Sequence, residues 1–351
     1  MTDANPTAAP RPGEELDTAK LAAWFGRGEL HVEQFPSGHS NLTYRVRVAA
    51  TGEEFVLRRP PFGTRVKSAH DMGREYRVLS KLHAVFPAAP RPVAYCEADA
   101  VLGAPFYLME RLPGLVIRKE LPAALAGNPD GCRRLSAALV DNLAALHSVD
   151  LAAAGLDTFG KPEGYVRRQI EGWTKRWADA QTEDVTEMNR ALAWLAAHMP
   201  ADSARPALVH NDYKLDNILV DPADLTRIAG LLDWEMATVG DPLMDLGTAL
   251  CYWVEAADPP AFRNLRFSPT TAPGFFTRRE FVERYAKRTG RDVPHPVYYY
   301  VYGLCKLAVI LQQIYFRYVH GHTRDERFAV LGASAVGLAQ QAESSIASGR
   351  C

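Results

Sequence analysis

The chain has 351 residues, 47% of them hydrophobic, and a formal net charge of −1 from 40 basic and 41 acidic side chains. This length exceeds one small core and predicts two lobes. Nucleic-acid binding usually requires an excess of basic residues, which this composition lacks. The sequence has no uninterrupted run of about 18 apolar residues, so no membrane span is predicted. Five dispersed cysteines without metal-ligand spacing and the lack of a secretion signal predict a cytoplasmic protein. The composition leaves the choice between monomer and homodimer open.

The first part of the chain is predicted to be a mostly antiparallel sheet with two helices beside it. Residues 1–15 are rich in proline and polar residues, which predicts a disordered lead. Apolar residues at helical spacing predict helices at 16–27 and 71–86. Alternating or short apolar runs predict strands, at 31–48 in two parts around Pro36, at 53–58, at 93–97 and at 106–109.

Beyond a connector at 110–114 the chain becomes rich in helices. Leucines and aromatic residues at helical spacing predict the main helices, at 132–151, 166–180, 186–198 and 297–318. Three short apolar runs interrupt this pattern, at 207–210, 218–220 and 228–232. The sequence therefore predicts an α+β fold, with a sheet lobe over 16–111 and a helical lobe over 112–351.

The strongest chemical signal is a pair of acidic loops. Asp212 lies five residues before Asn217 in HNDYKLDN, and Asp233 follows sixteen residues later in LLDWE. Phosphoryl transfer needs a carboxylate that orients the attacking hydroxyl and hard oxygen ligands for Mg²⁺. A single aspartate in a loop is usually a turn residue, but the joint spacing of the three favours phosphoryl transfer.

These segments resemble the catalytic and metal loops of the protein-kinase-like superfamily, and more closely its aminoglycoside/choline phosphotransferase branch. The resemblance covers residues from about 30 to 318 and implies a two-lobed protein-kinase-like fold that uses ATP and Mg²⁺ on a small-molecule hydroxyl. It implies that Asp212 is the catalytic base, that Lys214 steadies the transferred phosphoryl group, and that Asn217 and Asp233 bind the metal.

Three further residues near these loops have assignments that follow the same resemblance. His210 matches a position that braces the loop, and Asp245 matches a buried carboxylate that bonds the catalytic-loop backbone. Glu235 is open between contact with metal or substrate and an ordinary surface role.

A short polar segment between two predicted strands lies where a nucleotide-covering loop is expected. Small residues let backbone N–H groups approach phosphates, which makes this segment a candidate ATP contact, at Ser37, Gly38, His39, Ser40 and Asn41. A plain hairpin turn has the same composition, and the full G-x-G-x-x-G pattern is absent.

The third predicted strand carries two candidate phosphate-binding cations. Arg58 occupies the position of the usual lysine, with Arg59 as its rival one register away, and Glu75 on the next helix is the expected ion-pair partner. The family frame makes Glu110 and Leu112 part of the hinge that binds adenine.

The substrate is the least determined part of the prediction. LRRPP at 57–61 and the DWEMATVGDPLMDLG stretch resemble kinase-like domains fused to acyl-CoA dehydrogenases, which implies a hydroxyacyl compound or hydroxyacyl-CoA. The tyrosines of 298–302 with Arg317, Arg324 and Arg327 suit an anionic or acyl substrate, although helix core packing is the alternative. Rival functions are an aminoglycoside antibiotic phosphotransferase and a non-catalytic nucleotide-binding module; a protein kinase is disfavoured because no A-P-E-like segment follows Asp233.

Overall fold

The computed structural model describes residues 5–36, 41–62, 71–323 and 325–351. Packing divides the described chain into two compact units. Unit 1 is formed by Met1–Val116, Ala152–Leu156 and Asn217–Ala237. Unit 2 is formed by Ile117–Leu151, Asp157–Asp216 and Thr238–Cys351. Unit 1 thus includes two later segments that lie beyond the boundary predicted at residue 111.

The elements confirm the α+β class, with antiparallel sheets and many helices. The strands are β1 Leu30–Gln34, β2 Leu42–Val48, β3 Glu54–Arg59, β4 Pro92–Cys96, β5 Phe106–Glu110, β6 Leu115–Val116, β7 Ala207–Val209, β8 Ile218–Asp221, β9 Asp224–Leu231 and β10 Thr238–Gly240. The helices are α1 Thr18–Phe25, α2 Met72–Leu82, α3 Asp99–Leu102, α4 Pro129–Leu146, α5 Tyr165–Ala180, α6 Thr186–Ala197, α7 Pro242–Tyr252, α8 Pro260–Arg263, α9 Arg278–Thr289, α10 Pro296–Val319 and α11 Leu331–Ser348.

A five-stranded sheet is the core of unit 1, in the order β1-β2-β3-β5-β4 with antiparallel neighbours. The predicted alternation is confirmed in β2, where Leu42, Tyr44, Val46 and Val48 are buried and the residues between them are not. Alternate side chains point to opposite faces of a strand, so these four place one face of β2 in an apolar core. That core also contains Leu21 of α1.

The predicted disorder of the lead is wrong for residues 5–15. Ala8 pairs with Gln34 as an isolated β-bridge, and the Gln34 side chain accepts a hydrogen bond from the Arg11 backbone N–H at 2.8 Å. The Tyr44 hydroxyl donates to the Glu14 carbonyl at 2.7 Å. Backbone pairing with the edge strand β1 therefore orders residues 5–15, although their composition has too few apolar residues to form a core.

A second, smaller sheet of unit 1 has the order β6-β8-β9. In its β8–β9 hairpin Ile218 pairs with Leu231, so Asn217 lies opposite Leu232 just beyond the paired residues. The predicted run at 228–232 is only the end of β9, because the strand begins at Asp224.

Unit 2 is built around α10, which packs against α5, α6, α7 and α11. Among the described residues, no helix combines the length and apolar character needed to cross a membrane. Tyr298, Tyr299, Tyr300 and Tyr302 of α10 are all buried in this helical core. Of the two interpretations that the sequence left open for these tyrosines, their burial supports helix core packing.

Glycines allow α7 and α10 to approach each other closely. A Cβ atom at Gly247 would lie 2.0 Å from the Tyr299 carbonyl oxygen, and one at Gly303 would lie 2.3 Å from the Gly247 carbonyl oxygen. Real Cβ atoms do not approach backbone atoms so closely, so both positions require glycine. This contact sets the spacing of α7 and α10.

We expect Gly247→Ala to destabilise the protein by about 2 kcal/mol or more, because the helix backbones must separate. Gly172→Ala in α5 is the matched control, since no atom lies within 4 Å of its added Cβ. The control should stabilise by up to about 1 kcal/mol through helix propensity. Urea unfolding of both variants measures the difference, and a Gly247→Ala protein as stable as the control would contradict the packing argument.

Candidate active site

The two predicted metal ligands lie at the same end of the β8–β9 hairpin in unit 1. The Leu232 N–H donates to the Asn217 carbonyl at 2.8 Å, and Asp233 is the next residue along the chain. Asp233 has φ 67°, a left-handed conformation that aspartate adopts more readily than most side chains. An amide and a carboxylate supply the hard oxygens that Mg²⁺ prefers, so the donor types fit this metal.

Arg58 forms the predicted ion pair with Glu75 and also contacts Asp233. Its Nε lies 3.2 Å from Glu75 Oε1, and its Nη2 lies 2.7 Å from Asp233 Oδ1. Burial would lower the pKa of Arg58, but the two carboxylates hold that pKa well above its usual value. Arg59, the rival, instead lies over the Phe62 ring at 3.5 Å. Arg58 is therefore the permanent cation beside Asp233.

The segment after Asp233 is anchored by its neighbours in unit 1. The Asn41 side-chain amide donates to Glu235 Oε2 at 2.6 Å, and the Trp234 N–H donates to Glu75 Oε1 at 3.2 Å. Glu235 lies 3.8 Å from Arg58, so it belongs to the same charged cluster rather than to an isolated surface position.

The remaining predicted nucleotide contacts of unit 1 are tested less directly. Ser37, Gly38, His39 and Ser40 lie outside the described residues. The Glu110 carboxylate accepts a hydrogen bond from the Arg91 N–H at 2.7 Å. Leu112 lies beside the β8–β9 hairpin, where its Cδ1 would be 2.7 Å from a Cβ at Gly230. Their adenine-binding role stays a prediction.

In unit 2, both oxygens of the Asp212 carboxylate have partners. Lys214 Nζ lies 2.8 Å from Oδ2, and the Tyr252 hydroxyl donates to Oδ1 at 2.9 Å. The Asp212 side chain is 20% exposed, so a small molecule can reach it. Burial raises the pKa of Asp212, but Lys214, Lys306 and His210 together outweigh burial, and the pKa lies below its ordinary value. Asp212 is thus an ionised, accessible carboxylate at neutral pH.

Asn211 is the residue before Asp212. Its backbone carbonyl oxygen and its side-chain oxygen each accept a hydrogen bond. Lys306 Nζ donates to its carbonyl, and the Tyr165 hydroxyl donates to its side-chain oxygen at 3.1 Å. Its own N–H donates to Asp245 Oδ1 at 2.8 Å. Asn211 has φ 64°, and these contacts maintain that left-handed conformation. These contacts therefore set the direction in which the Asp212 side chain points from the loop.

Asp245 bonds the catalytic-loop backbone, as the resemblance implied. Its Oδ2 accepts from the His210 N–H at 2.7 Å and lies 3.1 Å from His147 Nε2. An ionised carboxylate only accepts, so His147 Nε2 carries the proton donated to Asp245, and the Tyr285 hydroxyl lies 2.6 Å from His147 Nδ1. Burial raises the pKa of Asp245, but the interactions with His147 and His210 together outweigh burial, and the pKa is lowered. His210 consequently braces the loop through its backbone.

A pocket opens beside Asp212 within unit 2. Its wall is largely apolar and includes Leu139, Leu215, Ala249, Trp253 and Phe281. Lys214 and Tyr252, the two partners of Asp212, also line it. The pocket therefore joins an apolar surface to the two residues that contact Asp212.

Sequence reasoning missed three residues that shape this loop: Asn211, Tyr252 and Lys306. Lys306 carried a usable signal, because it is the single charged residue between positions 297 and 316 of a predicted apolar helix. A buried lysine needs a partner, so its position predicted a polar contact. Asn211 and Tyr252 carried no comparable signal, since neither departs from the composition around it.

Unit 1 has a buried Arg–Glu pair beside an aspartate that could bind a metal. Unit 2 has a His-Asn-Asp loop whose backbone is held by a buried carboxylate. Together these features are typical of the protein-kinase-like class. The model of the APH phosphotransferase enzyme family matches residues 31–286. This chain belongs to that phosphotransferase family, whose members include small-molecule kinases.

Solved structures support the same assignment. A Ralstonia eutropha protein named "putative aminoglycoside phosphotransferase" is 32% identical with a TM-score of 0.79, over 94% of this chain and 98% of that one. Choline kinase from Cryptosporidium parvum is 14% identical with a TM-score of 0.61, over 91% of each chain, and shows the fold alone.

Curated relatives include much longer proteins. Mouse "acyl-CoA dehydrogenase family member 10" is 33% identical over 316 residues, which are 90% of this chain but 29% of that protein. Rat "acyl-CoA dehydrogenase family member 11" is 33% identical over 90% of this chain and 41% of that protein. The chain thus spans less than half the length of these relatives.

We expect Glu75→Gln to destabilise the protein by about 3 kcal/mol, because it leaves Arg58 with one fewer carboxylate in a buried site. Glu343→Gln is the matched control, since Glu343 pairs with Arg190 on the exposed surface. The control should unfold near the wild-type urea midpoint. Equal midpoints for the two variants would contradict a structural role for the buried pair.

Proposed function

We propose that the protein transfers the terminal phosphoryl group of ATP to a hydroxyl group of a small molecule. The observation that carries the proposal is the Asp212 carboxylate, which is ionised, accessible and fixed by Lys214 and Tyr252. Membership of a phosphotransferase family supports this chemistry.

In this reaction Asp212 orients the substrate hydroxyl and accepts its proton. A bond forms between the hydroxyl oxygen and the γ-phosphorus as the bond to the β-phosphate bridging oxygen breaks, and ADP leaves. Lys214 lies beside the base, where its ammonium would offset charge on the transferred group.

Asn217 and Asp233 would hold Mg²⁺, whose chemistry is to neutralise phosphate charge when bound. Arg58 holds the Asp233 side chain in place through the 2.7 Å ion pair. The ATP phosphates would be contacted by Arg58 and by the segment from Ser37 to Asn41, with adenine near Glu110 and Leu112. Glu75 would orient Arg58 for this contact.

The acceptor is proposed to be a hydroxyacyl compound or a hydroxyacyl-CoA. Two observations support this class over an aminoglycoside. The surface around Lys214 and Tyr252 is largely apolar, and Lys214 adds a cation beside Asp212 instead of a further carboxylate. The acyl-CoA dehydrogenase names of the longer relatives are consistent with acyl chemistry near such a domain.

Replacing the base tests the catalytic assignment. Asp212→Asn should lower kcat by roughly 100-fold or more and leave the Kd for Mg·ATP nearly unchanged, because the amide cannot accept the proton. Asp179→Asn, an exposed position of α5, is the control and should retain wild-type turnover. Normal turnover by Asp212→Asn would remove the assignment. Tight Mg·ATP binding with no turnover of any acceptor by the wild type would favour the non-catalytic module.

A ligand panel tests the substrate class. Thermal unfolding with Mg·ATP, hydroxyacyl-CoA thioesters, free hydroxy acids, kanamycin and choline should show a rise in Tm for the hydroxyacyl members, since ligands of the native state stabilise it. Phosphorylated product from the same compounds, detected by mass spectrometry, completes the test. A shift and product with kanamycin alone would assign the protein to the antibiotic phosphotransferases.

A further inference from the structure

Tyr252 occupies the last position of α7 and contacts three parts of unit 2 at once. Its hydroxyl donates to Asp212 Oδ1 at 2.9 Å. Its ring lies 5.0 Å from Lys214 Nζ, measured to the ring centroid. The same side chain forms part of the wall of the apolar pocket. The reaction steps proposed above use it only as a hydrogen-bond partner of Asp212.

We propose that Tyr252 is a positioning residue that fixes the rotation of the Asp212 carboxylate toward the incoming hydroxyl. The proposal rests on the proposed function of Asp212 as the base. It adds that the orientation of the base comes from α7, outside the loop that carries the base.

The argument begins with the two oxygens of Asp212. Lys214 lies in the same loop and pairs with Oδ2, but a lysine side chain has many rotamers and permits rotation of its partner. Tyr252 has a rigid ring whose hydroxyl reaches Oδ1 from a helix. Two contacts on opposite oxygens, one of them from a rigid ring, restrain the carboxylate plane more than the lysine contact does.

The Tyr252 hydroxyl is suited to permanent donation. Burial and the adjacent Asp212 carboxylate raise the pKa of Tyr252 well above its usual value, so the phenol remains protonated. The Tyr252 ring also packs edge-on against Phe267, with 5.9 Å between centroids. Packing therefore restricts the ring, and this restriction fixes the position of the hydroxyl that donates to Asp212.

A purely structural role makes a different prediction for the loss of the hydroxyl. Tyr252→Phe keeps the ring, its pocket surface and its packing, and removes the hydrogen bond alone. Tyr298→Phe is the matched control, because that buried hydroxyl in α10 donates to the Leu195 carbonyl at 3.3 Å. If the Tyr252 hydroxyl contributes only to stability, Tyr252→Phe should resemble Tyr298→Phe, with a change in melting temperature and no change in kinetics.

The kinetic test uses Mg·ATP with the acceptor found in the panel, or with water as acceptor if none is found. Tyr252→Phe should lower kcat on the order of tenfold, the worth of one hydrogen bond to a charged group, with the KM for ATP unchanged. The control should match wild type in both constants. A Tyr252→Phe kcat equal to that of the control would overturn the proposal.

The pH profile supplies a second readout that a structural role would not move. The hydroxyl stabilises the ionised form of Asp212, so its loss should raise the apparent pKa of the base. The acidic limb of kcat/KM should consequently move to higher pH in Tyr252→Phe. The titratable groups that face Asp212 are Lys214, His210 and Asp216 from its loop, Tyr252 and Cys251 from α7, and Lys306 from α10. All except Tyr252 are retained in the variant, so an unmoved limb counts against the proposal.

Crystal structures of wild type and Tyr252→Phe test the proposal without turnover. A rotated or disordered Asp212 carboxylate in the variant is the expected result, and an unchanged carboxylate would overturn the proposal. This arm also separates the two hypotheses. A wild-type enzyme that is inactive with every acceptor and with water contradicts the proposed function, whereas an active wild type with an unchanged Tyr252→Phe contradicts only the role of Tyr252.

Discussion

The catalytic loop of unit 2 depends on one buried carboxylate. Asp245 accepts the backbone N–H groups of His210 and Asn211, and its second oxygen also meets His147. A buried charge is tolerated only when its oxygens are satisfied, so the loop backbone and the carboxylate require each other. The position of Asp212 is therefore decided by a side chain that is fully buried.

Helix packing supplies the second constraint on the same loop. Asp245 is in α7 and Lys306 is in α10, and the closely spaced glycines Gly247 and Gly303 hold these helices together. Burial lowers the pKa of Lys306, but nearby Asp212 and Asp245 favour its ammonium form, which donates to the Asn211 carbonyl. Core packing and loop geometry are thus coupled. A change in the spacing of α7 and α10 would displace the Asp245 acceptor and the Lys306 donor that hold the loop backbone.

Much of this organisation could be predicted from the sequence because the determining patterns are local. The alternation in β2 and the spacing of Asp212 and Asn217 in one loop follow from neighbouring residues. The start of α4 at Pro129, earlier than expected, depends on the Asn128 side chain accepting from the Gly131 N–H, a cap that leucine spacing does not reveal.

The parts that escaped prediction depend on contacts between distant segments. Ala8 is ordered by Gln34, and the tyrosines of α10 face helices whose positions the sequence does not encode locally. Tyr252 reaches Asp212 across 40 positions of the chain, so no spacing rule links the two. The division into units has the same origin, because Asn217–Ala237 packs with strands formed far earlier.

The separation between Asn211 and Lys306 has a consequence for biosynthesis. The two residues are 95 positions apart, so a ribosome has translated the whole catalytic motif long before the lysine that supports it. A nascent chain that ends after α7 contains the base, yet the carbonyl preceding it lacks its ammonium partner. The loop geometry is therefore completed late in translation, and truncated products of this protein carry the loop sequence without its Lys306 contact.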